Sequence, residues 1–142
     1  MSRIKIGQIG VGHEHASGIM DALRALPDHF EVVGVVEEAD PGWYHERAYQ
    51  GVPRMTEAEL FATPGLQAVA VETNMPLLAD TALRCLEHGL HIHLDKPGGE
   101  TMPPFRRLID GCRAKGLAIQ LGYMYRNNVA IQLCLRAARE GW

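Results

Sequence analysis

The sequence predicts an α/β domain built on one doubly wound parallel sheet. Short β-rich runs alternate with longer helical stretches from end to end. Several of these runs, such as Phe30–Val36 and Gln67–Val71, are apolar almost throughout, and Gly or Pro punctuates nearly every junction. A near-continuous apolar run suits a strand whose sheet is covered by helices on both faces. Strands that alternate with helices are joined by right-handed crossovers into a parallel sheet.

Arg3–Ile9 reads as the first strand. Glu14–Leu26 reads as a helix with Ile19, Leu23 and Leu26 on one face, closed by Pro27-Asp28, and Phe30–Val36 is the second strand. A weaker helical stretch runs from Trp43 to about Tyr49, and Val52–Met55 is read as a short strand. Thr56-Glu57-Ala58-Glu59 opens a brief helix, because a Thr followed three residues later by Glu allows reciprocal capping of free backbone N–H groups. Gln67–Val71 is a strand after Pro64-Gly65. Leu77–His88 is a helix with Leu78, Ala82, Cys85 and Leu86 on one face and Gly89 as its stop. Leu90–Leu94 is the next strand. A helix then begins at Pro103/Pro104, runs to Lys115 and ends at Gly116. Leu117–Leu121 and Asn127–Arg139 supply a last strand and a last helix, giving about six strands in one domain spanning 1–142, with no internal repeat.

Length and composition agree with a single globular domain. The chain has 142 residues, 46% apolar and 22% charged, a size that can bury one core. A net charge of −3 with no Lys/Arg block argues against nucleic acid or an anionic membrane as partner. No run approaches the ~18 apolar residues of a membrane span, and no leader pattern opens the chain. Cys85, Cys112 and Cys134 are sparse and lack a CxxC partner, so they read as reduced thiols and the expected compartment is the cytoplasm.

The first strand runs into Gly10-Val11-Gly12-His13-Glu14-His15-Ala16. Two glycines one residue apart allow a tight turn and close approach of a pyrophosphate to the backbone. The helix that follows aims its free N–H groups and positive dipole end at that phosphate. The third small-residue position of this fingerprint holds His15, with Ala16 and Gly18 placed to restore close packing. The second strand ends in Val36-Glu37-Glu38, and Glu37 stands 27 residues after Gly10. A carboxylate there accepts hydrogen bonds from ribose hydroxyls and repels a 2′-phosphate, which favours NAD over NADP. Two HxH pairs, His13/His15 and His91/His93, have no further Cys or His at ligand spacing, so no metal site is expected. His13 and His15 are placed beside the pyrophosphate.

Through His91-Ile92-His93-Leu94-Asp95-Lys96-Pro97, the chain resembles the N-terminal Rossmann domain of the Gfo/Idh/MocA oxidoreductases. The resemblance includes the glycine turn, the acid after the second strand, Thr73-Asn74, Leu86-Glu87-His88-Gly89, Lys96-Pro97 and Gly122-Tyr123-Met124-Tyr125-Arg126-Asn127, and it spans essentially the whole chain. It implies oxidation or reduction of a sugar, polyol or related hydroxy compound with a nicotinamide cofactor. It further implies that Lys96 lies near the nicotinamide and the substrate hydroxyl, as the catalytic residue of this domain. Asp95 stands where the family usually has Glu. Thr73, Asn74 and Met75 line the cofactor cleft, Leu78 replaces a frequent His, and Arg126 matches an arginine near the cleft. Independently of the resemblance, a lysine at the carboxyl end of a parallel strand faces the crevice where such folds bind ligands. There it can orient a hydroxyl and help relay its proton.

The family's dehydrogenases carry a second α/β domain with much of the substrate pocket, and this sequence stops at Glu140-Gly141-Trp142, about where that domain begins. The expectation is cofactor binding with little turnover, with a non-catalytic module that senses cofactor or serves a partner subunit as the alternative. Val129, Ile131, Leu133, Cys134, Leu135 and Ala138 nearly encircle the last helix, which predicts self-association into a homo-oligomer.

Overall fold

The computed structural model describes residues 2–37 and 46–142. Its centre is a parallel sheet of β1 (Ile4–Ile9), β2 (Phe30–Val36), β3 (Ala68–Val71), β4 (His91–Leu94) and β5 (Ile119–Leu121), in the order β2-β1-β3-β4-β5. The helices are α1 (Glu14–Arg24), α2 (Glu46–Tyr49), α3 (Glu57–Phe61), α4 (Met75–Glu87), α5 (Met102–Lys115) and α6 (Val129–Glu140). The Rossmann-like α/β class is therefore as expected, with five strands among the described residues instead of six.

The missing strand has a local cause. Val52–Met55 makes a single parallel bridge, Val35 to Arg54, at the outer side of β2. The Val35 N–H donates to Pro53 O at 2.9 Å and the Met55 N–H to Val35 O at 3.0 Å. Pro53 has no N–H to extend the ladder, and the Thr56 cap starts α3 immediately afterwards. With that bridge counted as a vestigial outer strand, the order becomes that of a dinucleotide-binding sheet. Part of the helical stretch expected from Trp43 lies outside the described residues. Its remainder is α2.

Two apolar clusters cover the sheet. Val69, Val71, Ile92 and Leu94 pack with Leu78, Cys85, Leu108 and Cys112 of α4 and α5 on one face. Met20 of α1 joins Val35, Tyr49 and Val52 in the second cluster, on the α1–α2 side. Each large apolar side chain fully withdrawn from water contributes about 1.5–3 kcal/mol. The Thr56–Glu59 capping box is present in full. The apolar residues of α6 behave differently from a core helix, for none of its residues is buried and Val129 is 83% exposed. No helix among the described residues is long and apolar enough to cross a membrane.

Candidate functional site

The carboxyl ends of the strands line up by backbone pairing. The Gly10 N–H donates to Val36 O (3.0 Å), Glu72 N–H to Ile9 O (2.7 Å), Asp95 N–H to Val71 O (3.1 Å) and Gly122 N–H to Leu94 O (2.9 Å). The residues that follow β1, β3, β4 and β5 thus stand in a row along one edge. The chain leaves β1 and β3 near the middle of this row, the switch point where open α/β sheets bind ligands.

Gly10 adopts φ +99°, and a Cβ there would lie 2.3 Å from the backbone carbonyl carbon of Glu72. Only glycine permits both the torsion and the approach. The wholly buried Gln8 anchors the turn from below, its Nε2 lying within hydrogen-bond distance of Gly10 O (2.9 Å), Ala16 O (3.1 Å) and the Tyr49 hydroxyl oxygen (3.0 Å) and donating its two protons among them. Val11 is buried, Gly12 half-buried, and His13 is the N-cap of α1, with Glu14 and His15 in its first turn. The His15 imidazole does not push α1 off the sheet. It turns toward β4, with Nδ1 3.5 Å from Asp95 Oδ1, while Ala16 packs with no exposure. Gly18, expected to share that packing, has nothing within 4 Å of a Cβ and lies open.

Three concavities meet around this turn. His13, Glu14, His15, Thr73, Asn74, Met75, Asp95 and Lys96 share one of about 370 Å³. His15, Lys96 and Arg126 share a second of about 710 Å³ with Tyr123 and Tyr125. Glu14, His15 and Asp95 line a third of about 660 Å³ with His93, Gln120 and Asn127. The structure so brings together His13, Glu14, His15, Thr73, Asn74, Met75, Asp95, Lys96 and Arg126, whereas Gly10, Val11 and Gly12 of the turn line none of the three. Leu78 also lines the first concavity, where it contributes an apolar surface. Glu37 stands apart just beyond β2, exposed and accepting a hydrogen bond from Arg54 Nε. It lines none of the three.

The electrostatics centre on a residue that sequence reasoning overlooked. Glu72 has no exposure, and neither carboxylate oxygen has a hydrogen-bond partner. Burial, reinforced by the Asp95 charge and opposed by Lys96, pushes its pKa up to about 8. Burial lowers the pKa of His13, against the pull of Asp95, and also lowers that of His93. Lys96 Nζ lies 3.6 Å from Asp95 Oδ2, and its side chain remains 41% exposed. The Thr73 hydroxyl is buried without a partner beside the same crevice. A polar atom of this kind, next to the free N–H groups of α1, fits a site for a polyhydroxylated, phosphate-bearing ligand. The one sequence signal for Glu72 was an acid directly after four apolar strand residues. Gln8, a buried amide within the first strand, was legible in the same way.

Residues 4–123 match the family described as "Oxidoreductase family, NAD-binding Rossmann fold", that is, Gfo/Idh/MocA. The chain belongs to this family. It provides a nicotinamide dinucleotide-binding domain of an oxidoreductase. Levoglucosan dehydrogenase from Pseudarthrobacter phenanthrenivorans is 26% identical over 99% of this chain and 38% of its own length. The WlbA dehydrogenase of Bordetella pertussis, solved with NADH and UDP-GlcNAcA, superposes with a TM-score of 0.81 at 19% identity, over 99% of this chain and 44% of that one. KijD10, a 3-ketoreductase from Actinomadura kijaniata solved with TDP-benzene and NADP, gives 0.82 at 25% identity, again over 99% and 44%. The chain spans less than half the length of these relatives.

Proposed function

We propose that this domain binds NAD(H) for an oxidoreductase acting on a sugar, polyol or related hydroxy compound. The observation that carries the reading is that the first turn of α1 and Lys96 open onto one crevice. The α1 amides grip the diphosphate, and the Thr73 hydroxyl supplies a hydrogen bond along the cleft. Asn74, Met75 and Asp95 wall the cleft. The bound nicotinamide supplies hydride transfer. Lys96, aimed by Asp95, orients the substrate hydroxyl and takes part in moving its proton. Arg126 and His15, across the larger concavity from Lys96, meet the substrate or the cofactor. Levoglucosan dehydrogenase and WlbA, one named for a sugar derivative and the other solved with a sugar nucleotide, support this substrate class.

NAD is the cofactor of choice because Glu37, at the end of β2, presents a carboxylate to the adenosine ribose. The chain alone has little turnover. The crevice above Lys96 is open, whereas hydride transfer needs its partners held within about 3–3.5 Å. The same reading has the chain self-associating in the cytoplasm through the exposed apolar residues of α6, which sedimentation at tens of micromolar measures directly. Titration with NADH tests the cofactor reading. Saturable binding supports it, and Lys96→Met should leave affinity within about threefold of wild type, because the lysine serves proton movement and not the diphosphate. Absence of saturation with NADH and NADPH alike contradicts it.

A further inference from the structure

Three neighbouring strands end in side chains of metal-ligand type. β1 leads into His13 and His15, β3 into Glu72, and β4 carries His93 with Asp95 just past its end. The register of β1 with β3 and of β3 with β4 supplies the rest of the set. His91, the other half of its pair, is occupied elsewhere, for its Nδ1 accepts the Ala118 N–H at 2.9 Å.

The spacing within the cluster is informative. His13 Nε2 lies 3.8 Å from Glu72 Oε2 and 4.0 Å from Asp95 Oδ2. His15 Nδ1 lies 3.5 Å from Asp95 Oδ1, and His93 Nε2 lies 3.4 Å from Glu72 Oε1. These separations are long for charge-assisted hydrogen bonds. They approach the distance of about 3.4 Å between donors held tetrahedrally at about 2.0–2.1 Å from one zinc ion. One donor atom each from His13, His15 and Asp95 falls within a common 4.8 Å. Coordination requires the two partly exposed imidazoles to rotate and close that span.

Glu72 provides the independent observation. It is completely buried and faces this cluster, yet both its oxygens lack a hydrogen-bond partner, as do the buried Nε2 atoms of His13 and His93. Buried polar atoms are nearly always paired. Lys96 gives its ammonium group to Asp95 and remains partly in solvent, and the Glu72 carboxyl, which burial keeps protonated, can exchange that proton for a metal ion.

We propose that His13, His15 and Asp95, with Glu72 and His93 beneath them, form a binding site for one divalent transition-metal ion. Imidazole and carboxylate donors without thiolate suit zinc and its first-row neighbours, whereas magnesium and calcium prefer all-oxygen shells. Glu72 and His93 form the floor, and His13, His15 and Asp95 form the side open to the crevice. A metal held there stands beside Lys96. The site borders the dinucleotide crevice, and it is tested without dinucleotide.

The chain, stripped with chelator, is titrated with Co²⁺ followed by visible absorption, and with Zn²⁺ followed by calorimetry. The expected result is one ion per chain, ligand-field bands of a tetrahedral or five-coordinate centre, and displacement of cobalt by zinc. His13→Ala and Glu72→Gln, each checked for native circular dichroism, should weaken binding at least tenfold. The exposed His29→Ala should leave it unchanged. No ligand-field bands in the wild-type chain overturns the proposal, and needs no variant to fold. Equal uptake by wild type and by a His13→Ala/Glu72→Gln double variant also overturns it, by assigning the metal to surface histidines. If NADH binds while cobalt does not, only this inference fails.

Discussion

Gly10 and Glu72 are packed backbone to backbone: a Cβ on Gly10 would sit 2.3 Å from both the carbonyl carbon and the carbonyl oxygen of Glu72. The contact seats the phosphate-binding turn against the end of β3 and fixes the floor of the crevice. Gly10→Ala must distort the turn, and it also forces an L side chain to φ +99°. The expected cost is about 2–4 kcal/mol, combining backbone strain and overpacking. Chemical denaturation measures it, and nucleotide affinity should fall in the same variant. A variant as stable as wild type would show that the turn is looser than described.

Glu37 and Arg54 form the second pair of consequence. Their ion pair occupies the end of β2, where the adenosine ribose is proposed to lie. Glu37→Gln removes the charge that accepts from the ribose and frees Arg54 to meet a 2′-phosphate. NADH affinity should fall about tenfold, the value of one hydrogen bond to a charged group. NADPH affinity should rise. Paired titrations with the two cofactors check both directions.

Thiol chemistry separates buried from exposed positions. Burial pushes the Cys85 thiol up to about 12 and raises that of Cys112, and both side chains are inside the α4–α5 cluster. Cys134 lies exposed on α6. Because the thiolate is the reactive form, a disulfide-exchange reagent at pH 8, applied at chain concentrations low enough to leave α6 unpaired, should modify one thiol per native chain promptly and all three after denaturation.

The α3 capping box predicts a pH dependence with a defined sign. Hydrogen bonds from the Thr56 backbone N–H and then its hydroxyl lower the Glu59 pKa from its ordinary 4.5. A depressed carboxylate contributes stability that is fully present above its unfolded value and is lost as pH falls through the folded value. Glu59→Ala should therefore melt below wild type at pH 7, and the gap should close on acidification below 4.5. Thermal melts at several pH values read it.

The sequence carried most of the fold because its signals were local. Alternating apolar runs, the Thr56–Glu59 spacing and Gly116 (φ +66°) each act within a few residues. The misreadings were also local in origin. Pro53 reduced an expected strand to one bridge, while Pro76 and Pro103 lie inside the first turns of helices that begin earlier, at Met75 and Met102. The apolar residues of α6 suggested burial, yet none of them is buried among the described residues. At the site, the glycine turn and Lys96 were legible from position within a βαβ frame. Glu72 was not, because its meaning depends on three strands, distant in sequence, ending at the same level. The two histidine pairs were legible as residues, but their partners were not.

Calorimetric titration of the chain with NADH, alongside NADPH, addresses the central claim that the backbone amides after β1 hold a dinucleotide with His15 turned aside toward Asp95. One NADH should bind per chain, more tightly than NADPH. No heat of binding from either cofactor would contradict it.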